Sequence, residues 1–303
     1  MTVFVNENNI LTEIPEIPFK LEKDLQKLIE KNTKMLFGLD FVRTEFELNG
    51  LRIDSLAFDR GSKSFVIIEY KKDKNFSVID QGYSYLSLML KNKAEFVLAY
   101  NEKSAEILKK DDIDWSQSRV IFVSPVFTTY QRQAVELKDL PIELWEVKKY
   151  ENNTIVFNQI QSKEKHDAIA KFGLKNEIAK SVAAEIKTYT EDYLLESATD
   201  EIKKLYRKIK EQILSNFDNV SIKPRKHYVG FVHRRNFVDI VIQKSSLKVV
   251  LNLGRGQLDD PRKLARDVSN LGHFGNGDHE ISLSDDKDTD YVFTLIKQSF
   301  EKN

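Results

Sequence analysis

Apolar positions recur along this chain with two periods, and the changes from one to the other mark its elements. From Phe19 to Asn32 the spacing is helical, with Leu21, Leu25, Leu28, Ile29 and Asn32 on one stripe. At about 100° per residue, Glu22 lies beside Ile29 at the edge of that stripe, within reach of an internal site, while Glu30 lies near the far side. Before this helix, residues 1–18 carry Pro15 and Pro18 and read as an extended lead-in. Phe41–Leu48 has strand character and closes on Asn49-Gly50, a strong hairpin signal. Two further apolar runs, together spanning Arg52–Lys71, flank a turn at Gly61-Ser62 and predict a second hairpin. With Asp59 opposite Ser64, Asp54 stands directly across from Glu69. Asp54, Leu56 and Phe58 share one face of the first strand, and Phe65, Ile67, Glu69 and Lys71 share one face of the second.

Helical spacing returns at Asp80–Leu90, and Ala94–Tyr100 reads as a buried strand. Val120–Ser124 is a strand ending at Pro125, followed by a helix over Thr128–Leu137 and a strand over Ile142–Val147. Residues 150–157 make a last hairpin around Asn152-Asn153, so the first domain is expected to span 1–160. Residues 161–200 are charged and helix-prone, a connecting segment. A second domain, 201–303, opens on an amphipathic helix at about Thr199–Asn216 with Ile202, Leu205, Tyr206, Ile209, Ile213 and Leu214 on one side. Strands at Tyr228–His233, Phe237–Ile242 and Leu247–Leu253 follow. A helix then starts at the acid-plus-proline signal Leu258-Asp259-Asp260-Pro261 and runs to Val268, before a short strand, Glu280–Leu283, and a closing helix, Tyr291–Phe300.

Composition narrows the classes. Charge balances at 47 basic against 47 acidic residues, so any surface for a polyanion must be local. With no cysteine there are no disulfides, thiolate metal sites or thiol nucleophiles. No apolar run approaches the ~20 residues needed to span a bilayer, and the N-terminus has no basic region leading into an apolar core, so a cytoplasmic protein with no membrane association is expected.

The candidate chemistry sits on the second hairpin. Opposed residues have Cβ atoms about 4.5–5.5 Å apart, so Asp54 and Glu69 would repel unless a cation lay between them. A hard divalent ion such as Mg²⁺ (or Mn²⁺), which prefers carboxylate oxygens and retains waters, resolves the repulsion. Lys71, on the face of Glu69, would aim an ammonium at such a water or at a phosphate. An isolated strand ending in Glu-x-Lys is also common at sheet edges, where charge discourages aggregation. In the second domain, Lys223–Arg235 holds five Lys/Arg and no acid, with Tyr228 and Phe231 between them, a pattern that can hold a nucleic-acid backbone and stack on bases. A strand flanked by solvated charges accounts for the same letters. His227, His233, His273 and His279 match no metal-binding spacing.

Asp54, then Glu69-x-Lys71, then Gln81 and Tyr85 four apart on the following helix, resemble the PD-(D/E)xK nuclease superfamily, of the RecB and NucS types. The residue before the aspartate departs from that pattern, Ile53 standing where the motif has proline. The resemblance implies an α/β (α+β) fold with a restriction-endonuclease-like αβββαβ core and a mixed sheet. It implies a Mg²⁺-dependent endo- or exodeoxyribonuclease acting in repair, restriction or defence, with nucleic acid, DNA first, as partner and a homodimer left open. It further implies metal ligation by Asp54, Glu69 and the carbonyl of Tyr70, support from Glu22, positioning of water or metal by Gln81, and backbone contacts by Tyr85, Lys72 and Lys74. Arg225, Lys226 and Tyr228 are the substrate-binding candidates of the second domain. That domain is similar to an uncharacterised bacterial domain often found after nuclease-like domains and sometimes labelled a predicted transport protein. The competing reading is an inactive nucleic-acid- or protein-binding module on the same scaffold.

Overall fold

The structure, a computed structural model, describes residues 2–72, 77–135, 140–160, 177–187, 189–233, 235–272 and 274–303. The chain divides into two compact units, one of Met1–Thr33, Asp40–Phe58 and Ser64–Lys187, the other of Lys34–Leu39, Asp59–Lys63 and Thr188–Asn303. Both mix helices with a sheet.

In the first unit, β1 (Val3–Glu7) and β2 (Ile10–Ile14) pair only with each other among the described residues. Then come β3 (Glu16–Ile17), α1 (Glu22–Phe37), β4 (Asp40–Leu48), β5 (Leu51–Asp59), β6 (Ser64–Tyr70), α2 (Val78–Lys91), α3 (Lys93–Asn101), β7 (Arg119–Ser124), α4 (Thr129–Val135), β8 (Ile142–Tyr150), β9 (Ile155–Ile160) and α5 (Glu177–Glu185). A seven-stranded mixed sheet runs β3-β8-β7-β6-β5-β4, with β9 also on β8. β4 and β5 are antiparallel, whereas β6, β7 and β8 are parallel. A parallel connection needs a long crossover, and α2 and α3 provide it between β6 and β7. Every residue of β6 is buried, as expected of a central strand covered on both faces. Glu69 is therefore a carboxyl that directly follows the apolar run Phe65–Ile68 in a fully buried strand.

Ala94–Tyr100 is helical, not a strand: it lies within α3. A short apolar run cannot choose between the two states, and the burial spacing decides, because Phe96, Ala99 and Tyr100 are buried at i, i+3 and i+4 while Leu98 is 54% exposed. The strand that follows the hairpin in the sheet is β7. The lead-in contributes three short strands. The first unit also continues past residue 160 to Lys187, because Ala179, Val182 and Ile186 join its core; residues 161–176 of the expected connecting segment lie outside the described residues.

The second unit holds α6 (Glu191–Leu195), α7 (Asp200–Asn216), β10 (Ser221–Pro224), β11 (Val229–Val232), β12 (Asn236–Ile242), β13 (Leu247–Leu251), β14 (Arg266–Asp267), β15 (His279–Leu283) and α8 (Thr289–Lys302). Its six strands order β10-β11-β12-β13-β15-β14, and α7 and α8 contribute to its core through residues such as Tyr206, Ile209 and Ile296. The helix expected from Leu258 to Val268 does not form. The carboxylate of Asp260 instead accepts the Ala265 N–H at 2.7 Å and the Tyr291 hydroxyl at 2.6 Å, and Lys263 takes a φ of 53°. The acid that signalled a helix start organises a loop. Among the described residues, no helix is long and apolar enough to cross a membrane.

Candidate active site

β5 and β6 bring Asp54 and Glu69 side by side, and each carboxylate is held by the other strand. The Asp54 N–H donates to Glu69 Oε1 at 3.0 Å, and the Tyr70 N–H donates to Asp54 Oδ2 at 3.0 Å. Lys71 Nζ lies 3.4 Å from Glu69 Oε2, with its side chain 20% exposed, while its own N–H continues the sheet by donating to Val123 O at 2.9 Å. The aspartate, glutamate and ammonium thus share one spot at the end of the hairpin.

Burial, followed by the neighbouring Asp54 carboxylate, pushes the Glu69 carboxyl up to about 8. The Asp54 N–H and the Lys71 ammonium pull in the opposite direction but do not offset the two larger effects. With Glu69 1% exposed, a negative charge there lacks full compensation from the chain.

Helix α2 begins at Ser77, whose hydroxyl accepts the Asp80 N–H at 3.2 Å. One turn on, Gln81 Nε2 donates to the Tyr85 hydroxyl at 3.1 Å, and that hydroxyl donates to Arg52 O at 3.1 Å. Burial and then the charge of Glu69 push the Tyr85 hydroxyl up. Gln81 and Tyr85 therefore lie on the carboxylate side of the hairpin.

Glu22 is exposed, and its Oε1 accepts the Lys72 N–H at 2.7 Å; Lys72 Nζ donates to Lys20 O at 3.1 Å. Glu22 thus secures the chain just beyond Lys71. Lys74 lies outside the described residues. Arg225, Lys226 and Tyr228 belong to the second unit, and Tyr228 is 4% exposed and Phe231 0%, so neither ring offers a face for stacking on a base. Arg234, in the same basic segment, and His273 lie outside the described residues.

Two residues of α1 belong to the site's surroundings although the apolar pattern does not signal them. Glu30, expected near the far side of the helix, accepts from Ser55 Oγ at 2.6 Å and from Gln26 Nε2 at 3.0 Å. Gln26 Nε2 also lies 2.9 Å from Asp54 O and 3.1 Å from Thr44 Oγ1, and Tyr70 OH donates to Ser55 Oγ at 3.0 Å. The buried side of α1 is Leu25, Gln26, Ile29 and Thr33, partly polar because the Gln26 amide meets Thr44 on β4 and the Asp54 carbonyl on β5. An apolar stripe cannot reveal it; the i, i+4 pair Gln26/Glu30 is the signal the sequence holds. Gln26→Ala is expected to cost about 1 kcal/mol by removing a buried amide that bridges three part-buried acceptors, seen as a lower denaturant midpoint with an unchanged slope.

Among the described residues, no three or more His, Cys, Asp or Glu side chains group as metal ligands. The donor set is two carboxylates with a neighbouring main-chain carbonyl. Hard oxygens, few of them, with charge left uncompensated, fit Mg²⁺ or Mn²⁺, cations that keep several waters.

Residues 190–303 match a family model described as "Domain of unknown function (DUF5655)". An "Uncharacterized protein" of Haemophilus influenzae is 46% identical over 301 residues, covering 99% of this chain and 100% of that one. Among solved structures, a repair endonuclease from Pyrococcus abyssi is 20% identical, over 40% of this chain and 45% of that one, with a TM-score of 0.23. The EndoMS–dsDNA2 complex is 14% identical, over 45% and 60%, with a TM-score of 0.28. The chain thus spans less than two thirds of either solved chain.

Proposed function

The chain belongs to one family with the Haemophilus influenzae protein, and from its own residues we propose that it is a metal-dependent nuclease hydrolysing phosphodiester bonds in DNA. The observation that carries this reading is the convergence of Asp54, Glu69 and Lys71 around one buried, undercompensated carboxylate. Its domains are read as a nuclease-like first unit and an accessory second unit.

Asp54, Glu69 and the carbonyl of Tyr70 would hold one or two divalent cations. When bound, such a cation lowers the pKa of a water and offsets the charge that builds on the scissile phosphate. Lys71, whose ammonium reaches Glu69 Oε2, is placed to steady the attacking oxygen or a phosphate oxygen. Gln81 and Tyr85, joined to each other and to the Arg52 carbonyl, orient the water and the substrate backbone. Glu22 keeps the segment after Lys71 in place through the Lys72 N–H.

The test is incubation of the full chain with single-stranded, branched and duplex oligodeoxynucleotides, with Mg²⁺, with Mn²⁺ and with chelator. Cleavage in the metal lanes and none with chelator is the expected pattern. Three intact substrates with both metals would overturn the reading, and a metal isotherm by titration calorimetry would then separate a lost activity from a lost site.

A further inference from the structure

Arg52 and Asp54 stand two apart on β5, which places their side chains on one face of the strand about 6.7 Å apart along it. The alternation is visible in the burial, for Ile53 between them is buried while Arg52 is exposed and Asp54 partly exposed. The main chain at Arg52 is fixed to the site, because its carbonyl accepts the hydroxyl of Tyr85. Its guanidinium, by contrast, makes no hydrogen bond or ion pair among the described residues. Glu47, exposed and directly opposite it on β4, would be the natural cross-strand partner, yet the two do not pair.

That unspent guanidinium matters because of what surrounds it. A polyanion entering the site meets two carboxylates, while the Lys71 ammonium already leans on Glu69 and that of Lys72 on a main-chain carbonyl. A divalent cation held by those acids would draw the scissile phosphate, but attraction for the phosphates on either side of it must come from cations beside the acids. An arginine presents a planar fork that grips a phosphate through two parallel N–H bonds, at little loss of its own freedom. Building on the nuclease reading, we infer that Arg52 grips a backbone phosphate next to the scissile one, setting affinity for the strand and not the rate of the chemical step. Its contact is with the backbone, so it acts alike on every base sequence.

The experiment measures binding of a fluorescein-labelled oligodeoxynucleotide by anisotropy, with Ca²⁺ in place of Mg²⁺, over a series of salt concentrations. Arg52→Ala is expected to bind about tenfold more weakly, with the slope of log K against log salt shallower by about one. Arg52→Lys recovers part of the affinity, and Arg52→Glu loses more than alanine does. In cleavage, the alanine variant raises KM and leaves kcat at saturation unchanged. An exposed side chain without partners should leave the thermal midpoint of all three variants where it was. Equal affinity and slope in Arg52→Ala and wild type would overturn the assignment while leaving cleavage intact. A fall in kcat with KM unchanged would overturn it too, by moving Arg52 into the chemical step. A wild-type chain that binds but never cuts would sink the nuclease reading and leave the binding role of Arg52 standing.

Discussion

If the chain is the nuclease proposed above, Lys71→Ala is expected to cut the rate of metal-dependent cleavage by about 10²–10³-fold, the loss typical when one charge-stabilising donor leaves an active site. The fold tolerates the change. The Lys71 N–H that extends β6 onto β7 is main chain and survives, and the side chain removed is only partly buried. Thermal melts of the two proteins should therefore nearly coincide, and a gel time course should separate them. Asp54→Asn makes the companion variant: its amide oxygen can still accept the Tyr70 N–H that Oδ2 accepts, but one of two anionic donors is gone. Equal cleavage by Lys71→Ala and wild type would refute the assignment of Lys71, whatever the cause of the activity.

The second large effect is a dependence of stability on pH and metal, and it needs no substrate. The Glu69 carboxyl titrates at about 8 in the folded chain against 4.5 for its ordinary value. Below 4.5 both states carry the proton. Between the two values the folded chain holds a proton that the unfolded chain has released, so stability falls as pH rises. Above 8 both are ionised and the loss is complete. At about 1.4 kcal/mol for each pKa unit, the metal-free protein loses on the order of 5 kcal/mol across that window from this group. The thermal midpoint without metal should fall from pH 5 to pH 9, and Mg²⁺ should restore it most at the alkaline end, where the carboxylate is already ionised and need release no proton. Glu69→Gln removes this titration, so above pH 6, beyond the window of the buried Asp239 carboxyl that is pushed up to about 6, its midpoint should show neither the decline nor the rescue. A wild-type curve that is flat with pH, or a rescue equal in Glu69→Gln, would refute the account.

Legibility in the sequence follows the chemistry of each element. The hairpin of β5 and β6 is readable because a long apolar run that keeps one acid near its end must offset that charge locally, and Asp54, Glu69 and Lys71 do come together. The spacing of Gln81 and Tyr85 places them on one helix face, and only the resemblance makes them candidates for the site. α3 is not readable, because seven mostly apolar residues suit either period, and only packing of Phe96, Ala99 and Tyr100 against the first core settles it. The Asp260 loop is hidden because a carboxylate ahead of a proline can cap a helix or tie a loop with equal ease, and Tyr291, far along the chain, tips the balance. Tyr228 and Phe231 are buried although their neighbours in sequence are basic. Glu30 falls on the wrong side of α1 when the stripe is drawn through leucines, whereas the helix buries Gln26 and Thr33 with Leu25 and Ile29.

That last point bears on how the strands find their alignment. A greasy ridge can slide along a groove and lose little, but the Gln26 amide and the Glu30 carboxylate accept only the counterparts they now meet at Asp54, Thr44 and Ser55. Slipping the first helix by a single turn, about 5.4 Å, would strand both polar groups against bare sheet. The helix thus works as a key cut for one lock, and the alignment that satisfies it is the one that sets Asp54 beside Glu69 on the opposite side.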